Sequence, residues 1–427
     1  MMLTKTMGEP TPSRVARIVG AVSLVVILLL LIWATARAGF SSVLSAYAAR
    51  TSQLAAADAA VNVNSGDPEA HFVRGAILEA NDDLAPAISE YTQALALRPD
   101  DYVLWLSLAH ARELNGDSAG ALAAANQAVQ LAPYYAQPRW QLGNLLVRAG
   151  RQDEGFSQLR LAGSGNPALL PAIIDLAWQL SGGNAAYVMQ AIQPNTLEAY
   201  TALAEYFKKR GKVSEAIALI RSAGSGAEEF RRRYIDELIA AKRFQDAYAL
   251  WSIAHPAIND RTADRPNVVT DPGFEQESDL DEPGFGWRAK KPPGVLLSLE
   301  DSNPKEGKSS LRIDFKGDSD PSLAIISQLV MVEPRAHYQL HFAVRTEGTV
   351  SGGLPGVMVI DAGTQLALGQ SGAFPLASNG WRDYSVDFTV PETTSAIQIT
   401  LQREHCSRSP CPIFGRLWLD NFSLRKT

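Results

Sequence analysis

The sequence predicts a multi-domain chain that runs from α to β. It expects an N-terminal transmembrane helix, an all-α solenoid of stacked helical hairpins, and a C-terminal antiparallel β-sandwich of the jelly-roll kind. Three observations carry this. Ile18 to Trp33 reads IVGAVSLVVILLLLIW, an almost unbroken apolar run. Pro99, Pro133 and Pro167 recur 34 residues apart, each with a small residue twelve positions earlier (Ala87, Ala121, Gly155) and an alanine five earlier (Ala94, Ala128, Ala162). Beyond Pro266 the apolar residues alternate instead of recurring at helical spacing. The expected divisions are a cytoplasmic tail over 1–17, the membrane segment over 18–36 and a helical lead-in over 37–67. After them come helical repeats over 68–256, a linker over 257–266 and the sandwich over 267–427.

With 427 residues, 46% of them hydrophobic and 20% charged, the chain has material for several cores and is not of disordered composition. A net charge of −6 at pH 7 offers no basic stripe, which excludes nucleic acid as the expected partner. The only two cysteines, Cys406 and Cys411, are too few for a disulfide-dense mini-domain or a four-cysteine zinc site.

The apolar run, extended through Ala34 to Ala36, approaches the roughly 20 residues a helix needs to cross a bilayer core. Lys5, Arg14 and Arg17 precede it against a single Glu9, which favours the N-terminus inside and the bulk of the chain outside. Ala34-Thr35-Ala36 and Ala36-Arg37-Ala38 have the form of signal-peptide cleavage sites. The run is longer than the usual apolar core of such peptides, so an uncleaved anchor is favoured. Either reading exports the remainder, the expected place being the periplasmic side of a bacterial inner membrane.

Phe40 to Val63 is alanine-rich and expected to be helical. From Pro68 the positions Gly75, Leu78, Ala87, Tyr91, Ala94 and Pro99 alternate small and large and close on proline. Small residues let paired helices approach, large ones fill the gap between pairs, and proline ends the second helix. Trp105, Leu108, Ala109, Ala121, Ala128 and Pro133 repeat the pattern, departing from it at Arg112 and Ala125. Leu142, Gly143, Leu146, Leu159, Ala162 and Pro167 repeat it again. An irregular pair is expected over Leu169 to Leu180 and Ala185 to Ile192, a good unit from Tyr200 to Ala223, and a closing pair from Tyr234 to Ala254.

In period and residue pattern, Pro68 to Pro256 resembles the tetratricopeptide repeat (TPR) family. The resemblance implies binding of a peptide or protein on a concave surface lined by the first helix of each pair. The positions it assigns there are Phe72, Leu106, His110, Trp140, Asn144, Thr201 and Glu205, with Ala76 beside them. Relatives that clamp a peptide carboxylate do so with lysine and asparagine. Asn144 stands at the asparagine position, but Trp140 occupies the lysine's place, which disfavours that ligand.

Ala257 to Pro266 is polar and proline-terminated, as a linker would be. Beyond it, Tyr338-Leu340-Phe342-Val344, Tyr384-Val386-Phe388-Val390 and Ile397-Ile399-Leu401 each place apolar side chains on one face of a strand. Asp271-Pro272-Gly273-Phe274-Glu275, Gly286-Trp287, Gly307 to Ile313 and Leu417 to Leu424 together resemble carbohydrate-binding modules of the galactose-binding-like superfamily. That resemblance implies core places for Phe274 and Trp287. It also implies a structural Ca²⁺ at Glu275 and Asp420, set against the plainer expectation that both carboxylates hold backbone groups. A glycan would need polar groups beside aromatic platforms. His337, Gln339, His341 and Arg345 form one row of a strand, with Trp381, Phe374 and Trp418 as candidate rings, although a solvated outer face makes the same row. Cys406 and Cys411 are expected to close a small loop by a disulfide.

No G-x-S-x-G, H-E-x-x-H or G-x-x-x-x-G-K-[ST] motif occurs. The expectation is therefore a non-enzyme with no cofactor beyond the calcium. The leading reading is an anchored adaptor holding a protein partner, in envelope or exopolysaccharide assembly. A polysaccharide-binding protein with the repeats as spacer, and a polysaccharide hydrolase, are the alternatives.

Overall fold

The apolar segment does not stop where the sequence places the outer edge of the membrane. In the computed structural model, which describes residues 14–255, 268–276, 280–290, 293–317, 320–378, 380–406 and 410–427, one helix α1 runs unbroken over Arg14–Thr51. Within it Ala21–Thr51 is long and apolar enough to cross a bilayer, with none of its most apolar stretch buried in the protein. The lead-in is thus the same helix continued, then turned at Ser52, which takes a left-handed φ of 53°, into α2 (Leu54–Val63). The tail before Arg14, with Lys5 and Glu9, lies outside the described residues, as do Pro256, the 257–266 linker, Asn267 and the 407–409 stretch.

The chain forms two compact units, Met1–Pro194 and Asn195–Thr427. In the first, α1 and α2 are followed by α3 (Pro68–Ala80), α4 (Leu84–Leu97), α5 (Tyr102–Leu114), α6 (Ser118–Leu131), α7 (Ala136–Arg148), α8 (Gln152–Gly165), α9 (Leu170–Leu180) and α10 (Ala185–Ile192). The starts of α3, α5 and α7 are 34 residues apart, as the prolines require. Asp67 and Asp101 cap α3 and α5, each accepting the backbone N–H two residues on.

The departures at Ala125 and Arg112 have a physical reason. A Cβ on Gly75 would meet the Tyr91 ring at 2.9 Å, and one on Gly143 would meet Leu159 at 2.7 Å. Glycine in the first helix therefore makes room for a large side chain in the second. In the middle repeat both residues are alanine, Ala109 and Ala125, each fully buried in the same cluster, so the pair fills its gap from both sides. Arg112 lies half-buried at the hairpin turn and donates to the Gly120 carbonyl at 3.1 Å.

The second unit opens with two more hairpins, α11 (Leu197–Lys209) with α12 (Val213–Ala223) and α13 (Glu228–Ala240) with α14 (Phe244–Trp251). Ten strands follow among the described residues: β1 (Trp287–Ala289), β2 (Val295–Glu300), β3 (Ser310–Gly317), β4 (Ile326–Met331), β5 (His337–Ser351), β6 (Pro355–Asp361), β7 (Ala367–Gln370), β8 (Arg382–Thr389), β9 (Ala396–Arg403) and β10 (Ile413–Lys426). They form two five-stranded sheets ordered β1-β4-β9-β6-β7 and β2-β3-β10-β5-β8, with every pairing antiparallel. The sandwich core holds the predicted inward residues: Tyr338, Leu340, Phe342, Val344, Val386, Phe388, Ile397, Ile399 and Leu401 are all buried. Phe274 and Trp287 sit there with Phe422, ring centroids 4.8 to 6.0 Å apart. Phe374 is also core, fully buried against Phe342 and Tyr384, and cannot serve as a platform.

The last hairpin and the sandwich are packed together. Trp251 is 1% exposed, stacked on His255 at 4.2 Å and packed against Phe285 from the loop before β1. Gly284 in that loop has φ +132°, and a Cβ there would lie 2.2 Å from the indole. Only glycine allows this approach. Arg231, 5% exposed, pairs with Glu228 and lies 3.8 Å from Glu282, while Arg288 of β1 reaches Asp236 of α13 at 3.5 Å.

Candidate functional site

The first helices of three successive hairpins, α3, α5 and α7, turn equivalent faces to a common trough. Phe72, Leu106 and Trp140 stand 34 residues apart and form one row; Ala76, His110 and Asn144 form the next. A cavity of about 770 Å³ between α5 and α7 is walled by Leu106, His110, Trp140, Asn144 and Arg148 among others. A second of about 430 Å³ between α3 and α5 includes Phe72 and Ala76, and it shares Glu79, Ser107, His110 and Leu114 with the first. The two are therefore one continuous groove across three repeats.

Its walls combine apolar shelves and tied charges. Val103 and Leu114 are 40% and 53% exposed, and Trp140 is half-buried beside them. Leu106 is 4% exposed, so it supplies floor and not an open contact. The Gln141 amide donates to the Leu106 carbonyl at 2.9 Å, fixing α7 against α5. Asn144 donates to the Trp140 carbonyl of its own helix at 2.8 Å instead of reaching into the groove.

Glu79, which sequence reasoning passed over, bridges two repeats. One oxygen accepts from the Tyr91 hydroxyl at 2.6 Å and the other pairs with His110 Nδ1. Burial and this carboxylate push the Tyr91 phenol well above its ordinary range. Glu113 and Arg148, also passed over, pair across α5 and α7 at 2.6 Å. All three lie on predicted helices, but His110 reaches Glu79 from the next repeat and Glu113 and Arg148 belong to successive repeats, which a linear sequence does not display. The Ser107 hydroxyl, which lines the same groove, donates to the Val103 carbonyl. The arrangement can hold a ligand by apolar contact and hydrogen bonds.

Thr201 and Glu205 lie on α11, in the second unit. Thr201 donates to the Leu197 carbonyl, and Glu205 pairs with Lys208 at 2.8 Å and Lys209 at 3.5 Å.

The predicted glycan row divides in two on the outer face of the β2-β3-β10-β5-β8 sheet. His337 bonds Thr389, and Gln339 links His341 to Asp387, a ladder between β5 and β8. Arg345 belongs to a separate cluster. Its guanidinium covers Trp418 at 4.0 Å and faces Trp381 at 5.5 Å, with Glu300 at 3.4 Å. Hydrogen bonds from Ser302 and Arg312 hold the Glu300 carboxyl down, at about 2. Trp418 is 3% exposed beneath this arginine and is no open platform. Trp381 is half-buried and donates to the Asn303 carbonyl.

Glu275 and Asp420 approach each other at the end of the sandwich. Asp420, fully buried, accepts backbone N–H bonds from Lys305 (2.7 Å), Glu306 (3.2 Å) and Asn421 (2.6 Å). Both oxygens of Glu275 accept from the Lys308 N–H at 2.9 Å. Burial, and then the Glu275 charge, push the Asp420 carboxyl up. Amide hydrogens thus face the oxygens that would meet a cation. No group of three or more His, Cys, Asp or Glu able to hold a metal occurs among the described residues. In this arrangement the two carboxylates anchor the 305–308 loop through its backbone N–H groups. Cys406 and Cys411 are joined by the expected disulfide. Beside it the buried Arg403 donates to the Cys411 carbonyl and to Ser351 Oγ, each at 2.8 Å.

No protein-family profile matches the chain. Over 96 residues it is 30% identical to the peroxisomal targeting signal receptor of Eremothecium gossypii, covering 22% of this chain and 17% of that one. The chain therefore spans less than a fifth of the length of the curated relatives it matches. Among solved structures it is similar to the crystal structure of MamA, with 15% identity, a TM-score of 0.28, and coverage of 41% of this chain and 87% of that one. It is also similar to a structure described as "CBM4 structure and function", with 10% identity, a TM-score of 0.27, and coverage of 37% and 99%.

Proposed function

We propose that this protein is a membrane-anchored adaptor, facing away from the cytoplasm, that holds a segment of a protein partner in the groove of its first three repeats. One observation carries the reading. Two cavities merge over α3, α5 and α7 into a single trough whose apolar shelves remain open while its charges are already paired. Such a surface suits a segment with an apolar anchor set against Trp140 and Leu114, its polar edges answered by Gln137, Gln141 and the Glu113–Arg148 pair.

Two further features support the anchor and its orientation. The cleavage-like residues Ala34 to Ala38 lie inside continuous α1, and Arg37 donates to the Val63 carbonyl at 2.8 Å, which makes this stretch part of the folded array. The disulfide suits an oxidising compartment.

The test places a photo-crosslinking residue at Trp140, Asn144 or Leu114 in the full-length chain in its own membranes, with Ala123, exposed on α6, as the control. Groove positions are expected to capture one common protein that Ala123 does not. Capture equal to that at Ala123, or capture of polysaccharide alone, overturns the reading.

A further inference from the structure

We infer that the cleft between the α13–α14 hairpin and the outer face of the β1-β4-β9-β6-β7 sheet binds an acidic saccharide, whose negative group is answered by Lys242 and Lys290. The cleft, of about 560 Å³, lies wholly within the second unit. Small-molecule sites run from roughly 300 to 1,000 Å³, so it is of ligand size and larger than a bare ion needs.

Its floor follows from strand alternation and register. Ile326 and Val330 of β4, and Ile397 and Ile399 of β9, belong to the sandwich core, so Ser327, Leu329 and Gln398 face the other way. Ser327 stands directly opposite Arg288 of β1, and Leu329 directly opposite Gln398. Such cross-strand neighbours are about 5 Å apart. Hydrogen-bonding and apolar groups are thus interspersed over a patch the size of a sugar ring.

Two independent observations point to a ligand. The first is hydrogen-bonding capacity that the protein itself leaves unused. Ser327 lines the cleft and is only 7% exposed, yet its hydroxyl has no partner among the described residues. The half-buried Gln398 amide has none among them either. A buried hydroxyl without a hydrogen bond is destabilising, and a ligand hydroxyl beside it restores the bond.

The second is charge. Among the described residues, Lys242, Arg288 and Lys290 line the cleft against one acid, Asp281. Arg288 reaches Asp236 at 3.5 Å, whereas Lys242 and Lys290 pair with no carboxylate among the described residues. Lys242 is also held at a conformational cost. It takes the left-handed position of the α13–α14 turn, with φ 59°, where the turns after α5, α7 and α11 have Gly116, Gly150 and Gly211 at φ 72 to 81°. The turn after α3 has Asp82 there, a residue type that tolerates this region better than lysine. Lysine therefore gives the turn nothing that glycine would not, and it sets a cation at the cleft. Two unpaired cations suit one anionic group, while Ser327, Gln398 and Leu329 suit the hydroxyls and C–H face of the sugar that carries it. A uronate carboxylate and an ester phosphate share this chemistry, and the experiment separates them.

Isothermal titration calorimetry on the full-length chain in detergent at low salt provides the test. Digalacturonate and glucose-1-phosphate are the probes; cellobiose, inorganic phosphate and acetylated diglycine are the controls. One or both acidic sugars are expected to bind at least about tenfold more tightly than every control, the effect of one charge-assisted contact or more. Lys242→Gly, which gives the turn its usual residue, and Lys290→Gln should each weaken that binding by about five- to tenfold. Ser327→Ala should weaken it too, and Lys316→Gln, exposed on β3 of the other sheet, should not. Preference for digalacturonate assigns a carboxylate, and preference for glucose-1-phosphate assigns a phosphate. Equal binding of cellobiose would show that charge is not required, and equal binding of phosphate or the peptide acid that a sugar is not; each overturns the inference. So does the absence of binding by both probes, or binding that Lys242→Gly and Lys290→Gln leave unchanged.

Discussion

Substituting Gly143 by alanine tests the size exchange that builds the repeats. In an isolated helix the change would gain about 1 kcal/mol from backbone propensity. Here the new Cβ would lie 2.7 Å from Leu159 Cγ, 2.9 Å from its Cδ2 and 3.0 Å from the Gly155 carbonyl oxygen. Leu159 is fully buried, and the carbonyl is backbone, so neither can yield cheaply. Overpacking of this kind costs about 1 to 3 kcal/mol, and Gly143→Ala is expected to destabilise by about 1 kcal/mol net. Leu159→Ala alone opens a cavity and costs about 3 to 5 kcal/mol. Combined, they recreate the Ala109–Ala125 pair of the middle repeat, so the double variant should be more stable than additivity predicts by at least about 1 kcal/mol. The assay is far-UV circular dichroism through a urea titration of the detergent-solubilised chain, read at the midpoint of the helical transition, since stacked repeats need not unfold in one step. A neutral or stabilising Gly143→Ala, or strictly additive costs, would refute the argument that glycine is there to admit leucine.

Two other outcomes follow from the second unit. The hydrogen bond with Glu282 holds the His255 imidazole above its ordinary value, and the same bond holds the Glu282 carboxyl below its own. The histidine's contribution is complete below about pH 6.5 and is lost as pH rises through its raised value. The glutamate's is complete above about pH 4.5 and is lost as pH falls through its lowered value. The Tm difference between the natural chain and Glu282→Gln should therefore be greatest between these limits and shrink towards pH 9, a remainder persisting from nearby Arg231. A difference that does not change with pH would count against the pair. Because backbone amides satisfy Glu275 and Asp420, EDTA should leave the Tm unchanged, while Asp420→Asn, which sets an NH₂ against amide donors, should cost about 1 to 3 kcal/mol. A Tm lowered by EDTA and restored by Ca²⁺ would reverse that assignment.

Much of the fold was legible because its causes are local. Prolines at a fixed period end helices wherever they occur, and alternation along β5, β8 and β9 reports a half-buried strand without knowledge of its neighbours. Residues 72, 106 and 140 are expected in one row because equivalent positions in a repeat share an environment. What stayed hidden depends on residues far apart in the chain. Glu79 acquires meaning only when Tyr91 and His110 close on it from two hairpins. Trp418 reads as a sugar platform until Arg345 from the adjacent strand is laid over it. Gly284 looks like ordinary loop glycine until Trp251 arrives 2.2 Å from where its side chain would be. That α1 runs unbroken from the apolar segment into the helical lead-in is a property of the backbone, which a change from apolar to alanine-rich composition does not display.

That continuity makes α1 behave as a crank. Because Arg37 and Ser41 are clamped to Val63, Ala60 and Asp67, the array cannot swivel independently of the rod that carries it. One residue added between Trp33 and Arg37 would advance the array by about 1.5 Å and turn it by about 100° relative to the apolar segment that precedes it. Seven added residues would lift it by about 10 Å and return it close to its starting azimuth. The azimuth of the groove about α1 is thus written into a residue count, and insertions should alter it with the period of the helix.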